Sequence, residues 1–370
     1  MKTVHFLTGR TKIEDYLTTP VRYNRARLRS LGYDVRFHYR PTPAALECDI
    51  LCFVSKPVIT MTGETSEVFQ ESGPVLSLLR EAGTRAGKLV WMDISDSTSV
   101  THFELLPQVD RYLKKHLLKD RSLYGQPFYG GRIFTDYYHR VFHIEDKKPF
   151  TQFYPLDPAE EHKVSLSWNM GMGDMYDAFS RKNSLRRLLP WLIRPNYRPP
   201  YVSPRAARDQ DIFLRTSADL GRDTVSFGRR ELISRLSALL EKRPGLSGSV
   251  QGHLPIAQYR DNMRRARIAF GPFGWGELNV KEYEAFIFGA CLVRPDISHM
   301  ETWPDLSAAG ETFATYAWDF SDLEEVVCGL LADEPRRLAM AEAGQQAYRD
   351  SISQAGMERF CEHFARQLTF

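Results

Sequence analysis

The sequence predicts an α/β chain of two successive domains, each a parallel sheet with helices on its faces. Three observations predict it. Short apolar runs alternate with helical patterns through the first part of the chain, the same alternation restarts near residue 211, and a basic, proline-rich stretch separates the two series. A length of 370 residues has room for two cores of ordinary size.

The first series opens with "TVHFLTG", a short strand closed by Gly9. In "TTPVRYNRARLRSLGYDVRFHY", Thr19 is the expected N-cap and Pro20 the first helical residue, with Leu28 and Leu31 on the apolar side and Gly32 as the stop before a strand. "DILCFVS" reads as a buried strand, "VLSLLREAGTRAGK" as a helix and "LVWMDIS" as the next strand, which makes a Rossmann-like N-terminal domain, residues 1–195. A helix is expected in the charged run "DRYLKKHLLKD", before an aromatic, glycine-rich stretch with no assigned element. The second series runs "DIFLRTS" (strand), "RRELISRLSALLEK" (helix), "SGSVQG" (strand), "IAQYRDNMRRA" (helix), "RIAFG" (strand), "VKEYEAFIF" (helix), "CLVRPD" and "TFATYAWDF" (strands). Ser321 and Glu324 then have the spacing of a capping box ahead of "LEEVVCGLLADE". This gives a second Rossmann-like domain, residues 205–350, and "MERFCEHFARQL" forms a final amphipathic helix within 351–370 that is expected to pack back on the first domain.

Composition narrows the function classes. Hydrophobic residues at 43%, charged at 26% and aromatic at 12% describe a folded globular chain. Basic residues exceed acidic ones by 49 − 46 = 3, too few to argue for nucleic acid unless clustered. Five scattered cysteines make no disulfide framework and fit a reducing cytoplasm, and Cys48 and Cys52 lack the second pair that a zinc site needs. No signal-like segment opens the chain and no run of ~18 apolar residues interrupts it, so a cytoplasmic protein without a membrane span is expected. The positive charge does cluster. Residues 178–208 hold eight basic residues, Arg181 to Arg208, and no acidic one. A solvated interdomain connection, peripheral contact with an anionic membrane at its inner face, and contact with a nucleic-acid acceptor are the three readings of this 181–208 segment.

The chemistry concentrates in "GPFGWGELNVKEYEAFIFGA", residues 271–290. A strand ends here and a helix begins, with Asn279 and Glu282 spaced as N-cap and third helical residue. Ligands of open α/β sheets bind beyond the C-terminal ends of strands. Gly274 and Gly276 would let backbone amides approach an anion, the helix start adds partial positive charge, and a diphosphate suits such a corner. A glutamate beside it would accept hydrogen bonds from sugar or ribose hydroxyls. The order of glycines is not that of a dinucleotide fingerprint, which disfavours hydride transfer.

From Ala269 to Asp305 the sequence "AFGPFGWGELNVKEYEAFIFGACLVRPDISHMETWPD" resembles the donor site of group 1, family 4-like glycosyltransferases of the two-domain GT-B fold, whose C-terminal domain carries a glutamate-bearing loop, an "EA" helix and a glycine. The resemblance implies a donor ribose on Glu284 and a catalytic or donor-sugar role for Glu277. Six residues separate the two, one fewer than in the retaining enzymes of the family, which leaves retention or inversion open. It also implies diphosphate contacts from Leu278, Asn279, Val280 and Lys281, a phosphate-binding Arg215, further positive charge from Arg222 or Arg229, and a nucleobase near Gly252 and His253. Asp93, Asp96 and His102, after the fourth strand, are candidates for a base on the acceptor side, and Gly9 and Arg10 for contacts at the first strand. The implied activity is transfer of a sugar from a nucleoside diphosphate sugar, UDP or GDP, to an acceptor hydroxyl, with no metal and no further cofactor. The alternatives are a non-catalytic nucleotide-sugar binding protein and a glycosyltransferase acting on modified nucleic acid.

Overall fold

The computed structural model describes the chain except residues 67, 152, 179, 181–183, 186–188, 190–193, 251, 253 and 307–310, and the side chains of 12 and 13. The N-terminal domain runs β1 (Lys2–Leu7), α1 (Lys12–Tyr23), α2 (Arg25–Ser30), β2 (Tyr33–His38), α3 (Pro43–Leu46), β3 (Ile50–Val54), α4 (Ser55–Thr62), α5 (Pro74–Gly83), β4 (Lys88–Asp93), β5 (Arg111–Lys114), β6 (His116–Leu118), α6 (Ile133–Phe142) and β7 (Val164–Leu166). Its sheet has the order β2-β1-β3-β4-β5-β7, all parallel. The C-terminal domain runs β8 (Gln210–Leu214), α7 (Asp223–Lys242), β9 (Gly248–Val250), α8 (Ile256–Arg265), β10 (Ala266–Phe270), α9 (Val280–Phe288), β11 (Cys291–Pro295), β12 (Met300–Thr302), β13 (Ala314–Tyr316), α10 (Leu323–Ala332), α11 (Glu334–Ser351) and α12 (Gln354–Gln367). Its parallel sheet has the order β13-β11-β10-β8-β9. Two Rossmann-like domains therefore face each other, as GT-B architecture requires. In each sheet the strand order reverses beside the first strand, between β1 and β3 and between β8 and β10, which is where an open α/β sheet leaves a crevice.

The domains are joined by more than their linker. β6 pairs antiparallel with β12, His116 opposite Thr302 and Leu118 opposite Met300, so a two-stranded ribbon spans the domain boundary. Helix α12 returns to the N-terminal domain: Glu358 meets Arg27 at 2.7 Å, Phe364 packs against Phe6 and Trp168, and the His363 ring lies against the Ser167 carbonyl at 2.7 Å. One apolar core accordingly runs from Val4 and Trp168 through Ile268 to Phe364, while a second fills the other face of the N-terminal sheet around Trp91. No described helix is long and apolar enough to cross a membrane.

Local structure departs from the sequence expectation in several places. The first helix begins at Lys12, not at Pro20, because Tyr16, Leu17 and Val21 bury one face and outweigh the single amide bond that Pro20 forgoes; it ends at Asn24, whose amide and side chain both donate to the Pro20 carbonyl. The charged run expected as a helix is β5 and β6. Its charges are not on a solvated face, since Lys114 is buried against Asp93 at 2.9 Å. Ser321 does not cap α10: both its amide and its hydroxyl bind Asp319, and Asp322 takes the N-cap position. Helices α4 and α11 are additions to the sequence reading.

Candidate functional site

Strand β10 ends at Phe270, and the following loop is fixed from within by the helix it leads to. The Asn279 side chain accepts from the Lys281 amide at 2.9 Å, and Glu282 accepts from the Asn279 amide at 3.2 Å, so the capping box read from the sequence is present. Buried Arg294 on β11 holds both ends of the turn, donating to the Glu277 carbonyl at 2.5 Å and pairing with Glu282 at 3.2 Å. The capping box uses the Asn279 and Lys281 amides. The amides of Leu278, just before the N-cap, and Val280, the first helical residue, have no acceptor among the described residues; for Val280 this is the usual state of a helix's first amides.

These amides border a cavity of about 290 Å³ between the domains. The C-terminal domain lines it with Arg229, residues 274–276 and residues 278–281, and the N-terminal domain lines it with Tyr16, Leu17, Asp96, Lys115 and Met170. Arg229 reaches it from α7, its Nε donating to the Phe273 carbonyl at 2.7 Å. A Cβ on Gly274 would stand 2.6 Å from the tip of the Arg229 guanidinium, so a side chain here would displace the arginine from its present position. Burial lowers Lys281, partly offset by Glu284, with Arg229 adding to the lowering. Across the cavity, burial opposes ionisation of Asp96, yet Lys115 and Lys56 hold its carboxylate well below the usual range, the latter at 3.0 Å.

Three consecutive residues, Trp275 and Gly276 at the cavity and Glu277 beside it, are docked onto the N-terminal domain. Arg132 donates to the Trp275 carbonyl at 2.7 Å and lies over the indole ring. The Gly276 backbone abuts Asp96 so closely that a Cβ would fall 1.6 Å from the Asp96 carbonyl oxygen. The Glu277 carboxylate, fully buried, accepts from the Thr98 hydroxyl at 2.7 Å, the Thr98 amide at 3.1 Å and the Ser97 hydroxyl at 3.1 Å. Two histidines flank it, His299 at 3.6 Å and His116 at 3.9 Å. Burial opposes its ionisation, but these neighbours prevail and hold Glu277 down to about 2. His116 donates from Nε2 to the Asp96 carbonyl at 2.7 Å, and burial, aided by Lys115, lowers it to about 4.

The structure thus gathers eight of the expected site residues at one cavity: Asp96, Arg229, Gly274, Gly276, Leu278, Asn279, Val280 and Lys281. It places the others elsewhere. Glu277 points away from the cavity, because its carboxylate completes the contact between domains. Asp93 is sealed inside the N-terminal domain, accepting from Lys114 at 2.9 Å and Tyr112 at 2.7 Å, and has no path to an acceptor. Glu284 is one turn along α9 from Lys281, outside the cavity lining, and accepts from the Tyr259 hydroxyl at 2.7 Å. Arg215 hydrogen-bonds the Ser249 hydroxyl on β9. Gly252 is exposed with φ 82°, and His253 lies outside the described residues. Gly274 does not offer its amide to the cavity, since it donates to the Gly276 carbonyl at 3.0 Å. The sequence reading passed over Tyr16, Lys115 and Trp275; a lysine inside the apolar run "YLKKHLL" was the available signal for Lys115.

Comparison with known proteins adds three findings. Residues 213–362 match the family model described as "Glycosyl transferase-like". No curated protein matches the sequence. Among solved structures, the fold is similar to an alpha-glucosyltransferase in complex with UDP and a 13-mer DNA containing an HMU base (TM-score 0.48, 10% identity, 100% of both chains covered). It is also similar to S. aureus MnaA with UDP (0.44, 10%, covering 100% of this chain and 97% of that one) and to Anabaena Alr3699/HepE with UDP-glucose (0.42, 11%, 100% of both). The family match covers the C-terminal part of the chain, including the loop and helix that line the cavity.

Proposed function

We propose that the chain is a glycosyltransferase of the group 1, family 4-like kind, which moves a sugar from a UDP- or GDP-sugar to an acceptor hydroxyl in the cavity between its domains, without a metal ion. The observation that carries this is the convergence, inside the glycosyl transferase-like region, of two acceptor-free helix-start amides, Leu278 and Val280, with two cations, Arg229 and Lys281. That set suits a diphosphate: the amides and the helix dipole meet one phosphoryl group and the cations the other. In the transfer, the acceptor oxygen bonds to the anomeric carbon while the bond from that carbon to the diphosphate oxygen breaks, and the proton of the acceptor hydroxyl passes to the departing diphosphate. The negative charge that develops on the departing nucleoside diphosphate is stabilised by the same amides and cations, which are already oriented.

Other residues take supporting parts in this reading. Glu284 holds the ribose, and its present partner, the Tyr259 hydroxyl, has the donor chemistry that a ribose hydroxyl would bring. Asp96 faces the acceptor side; held ionised by Lys115 and Lys56 it is a weak base, so it orients the acceptor hydroxyl rather than removing its proton strongly. For peripheral membrane contact through residues 181–208 the support is narrow. Arg205 pairs with Glu342 and Arg208 binds carbonyls of its own domain, which leaves Arg194 and Arg198 among the described basic residues.

A thermal-shift panel of UDP-, GDP-, ADP- and CDP-sugars tests the reading. At least one donor should raise the melting temperature, Lys281→Ala should abolish that rise, and the same donor should give a glycosylated product in cell extract. Stabilisation by none of them would overturn the assignment; stabilisation without turnover would favour a binding protein.

A further inference from the structure

A second cavity, of about 890 Å³, opens where the chain passes between its domains. Its walls come from the α1–α2 turn, the crossing segment 194–201 and the junction of α11 with α12. Four arginines line it, Arg27, Arg194, Arg198 and Arg349, and no acidic residue does. Arg27 is neutralised by Glu358 at 2.7 Å, and Arg349 lies over the Tyr201 ring at 4.4 Å. Arg194 and Arg198 have no ion-pair partner among the described residues. The Tyr201 hydroxyl, also at this cavity, is buried with no hydrogen-bond partner. The N-terminus of the 14-residue helix α12 faces the same space through Ser353 and Gln354.

These features share one electrostatic demand. Unpaired guanidinium groups, a helix start and an orphaned hydroxyl donor all seek an anion with several oxygens, and a guanidinium fork matches a phosphoryl group in shape. An excess of cations over the single paired carboxylate calls for more than one such group. The volume exceeds what a bare anion fills and lies within the range of small-molecule sites. The Tyr23 and Tyr197 rings, 4.8 Å apart edge to face, supply an apolar wall for whatever carries the phosphates.

We propose that this cavity is a second, phosphate-binding site that takes a ligand bearing two or more phosphoryl groups, separate from the site between the domains. Because its walls belong to both passages of the chain between domains, an occupant ties the linker to α12. The ligand's source is either a free small phosphate or a phosphorylated lipid headgroup, which share this chemistry.

Isothermal titration of the full chain with inorganic pyrophosphate provides the test, with a parallel flotation assay on phosphatidylcholine vesicles with and without phosphatidylglycerol and a bis-phosphorylated inositol lipid. The variants are Arg194→Ala/Arg198→Ala, Tyr201→Phe and, for the other site, Lys281→Ala. Pyrophosphate, or the bis-phosphorylated vesicle, should bind the double arginine variant about tenfold or more weakly, as expected for lost charge-assisted hydrogen bonds. Tyr201→Phe should weaken it by a smaller factor, and Lys281→Ala should leave this event unchanged. Binding to pyrophosphate identifies a free phosphate, and binding only to phosphorylated vesicles a headgroup. Unaltered affinity of the folded double variant for both probes, or no binding of either probe by the wild type beyond an event removed by Lys281→Ala, overturns the proposal. The outcome at Lys281 is read separately, so failure of either site leaves the other judged on its own data.

Discussion

Glu277 and Glu284 lie on one loop-and-helix unit, six residues between them, and have opposite surroundings. Glu277 is fully buried at the domain boundary, held by Ser97 and Thr98 from a segment 180 residues away and flanked by His116 and His299. Glu284 stays within its own domain, its carboxylate on the Tyr259 hydroxyl of the neighbouring helix. The difference teaches that two similar carboxylates at a glycine-rich turn can divide the work. One fixes where the loop sits relative to the opposite domain, and the other accepts a hydroxyl of its own domain, the kind of group that a donor ribose would bring in the proposed function.

Removing the carboxylate at 277 should therefore strike stability. Glu277→Ala leaves the Thr98 amide and two hydroxyls buried without an acceptor, and a loss of about 3–5 kcal/mol is expected in urea denaturation. Unchanged stability with a collapse of turnover would instead return Glu277 to the reacting centre. Acid should act on the same contact. His116 is neutral in the fold, with a pKa of about 4, and takes up a proton near 6.5 once unfolded. The unfolded state thus binds more protons between those values, and stability falls as pH drops from about 6.5 to about 4, by on the order of 3 kcal/mol. The part due to Glu277, whose pKa of about 2 lies below its unfolded value, is lost further down, between about 4.5 and 2. Denaturation curves at pH 7 and pH 4.5 check this, and His116→Asn should flatten the upper step while leaving the lower.

Glu284→Ala should do the reverse of Glu277→Ala. Donor affinity should fall by about 1.5–3 kcal/mol, the worth of hydrogen bonds to a charged group, with a smaller change in melting temperature. Calorimetric titration with the best donor measures it; equal affinity would remove Glu284 from the ribose. The mildest change is Tyr259→Phe, which takes one hydroxyl from Glu284 and should cost about 1 kcal/mol of stability. If the ribose replaces that hydroxyl, donor binding in this variant should hold or improve, and a tenfold loss would show that Tyr259 itself contacts the ligand.

What could be read in the sequence follows how local each feature is. The capping box of Asn279 and Glu282 lies within four residues, and the strands of both sheets announce themselves as apolar runs, so these were legible. The partners of Glu277 were not, because Ser97, Thr98, His116 and His299 carry no mark of their proximity until the domains meet. The run "YLKKHLL" misleads for the same reason. Each of its charged or imidazole side chains has a distant partner, Lys114 with buried Asp93, Lys115 with half-buried Asp96 and His116 beside buried Glu277, so a pattern that suggests a wet helix face is two buried strands. Gly276 was legible as a special position but not for its cause, which is the Asp96 carbonyl of the other domain.

The ribbon of β6 and β12 bears on how such a protein could be recombined. A chimera meant to import a new donor specificity would naturally be cut in the linker near residue 200, exchanging everything beyond it. Here that cut would sever Met300, Glu301 and Thr302 from Leu118, Leu117 and His116, and would separate Glu277 from Thr98. The unit of exchange is therefore the C-terminal half together with the 96–98 and 116–118 segments that receive it, and a graft that respects only the linker inherits a loop with nowhere to dock.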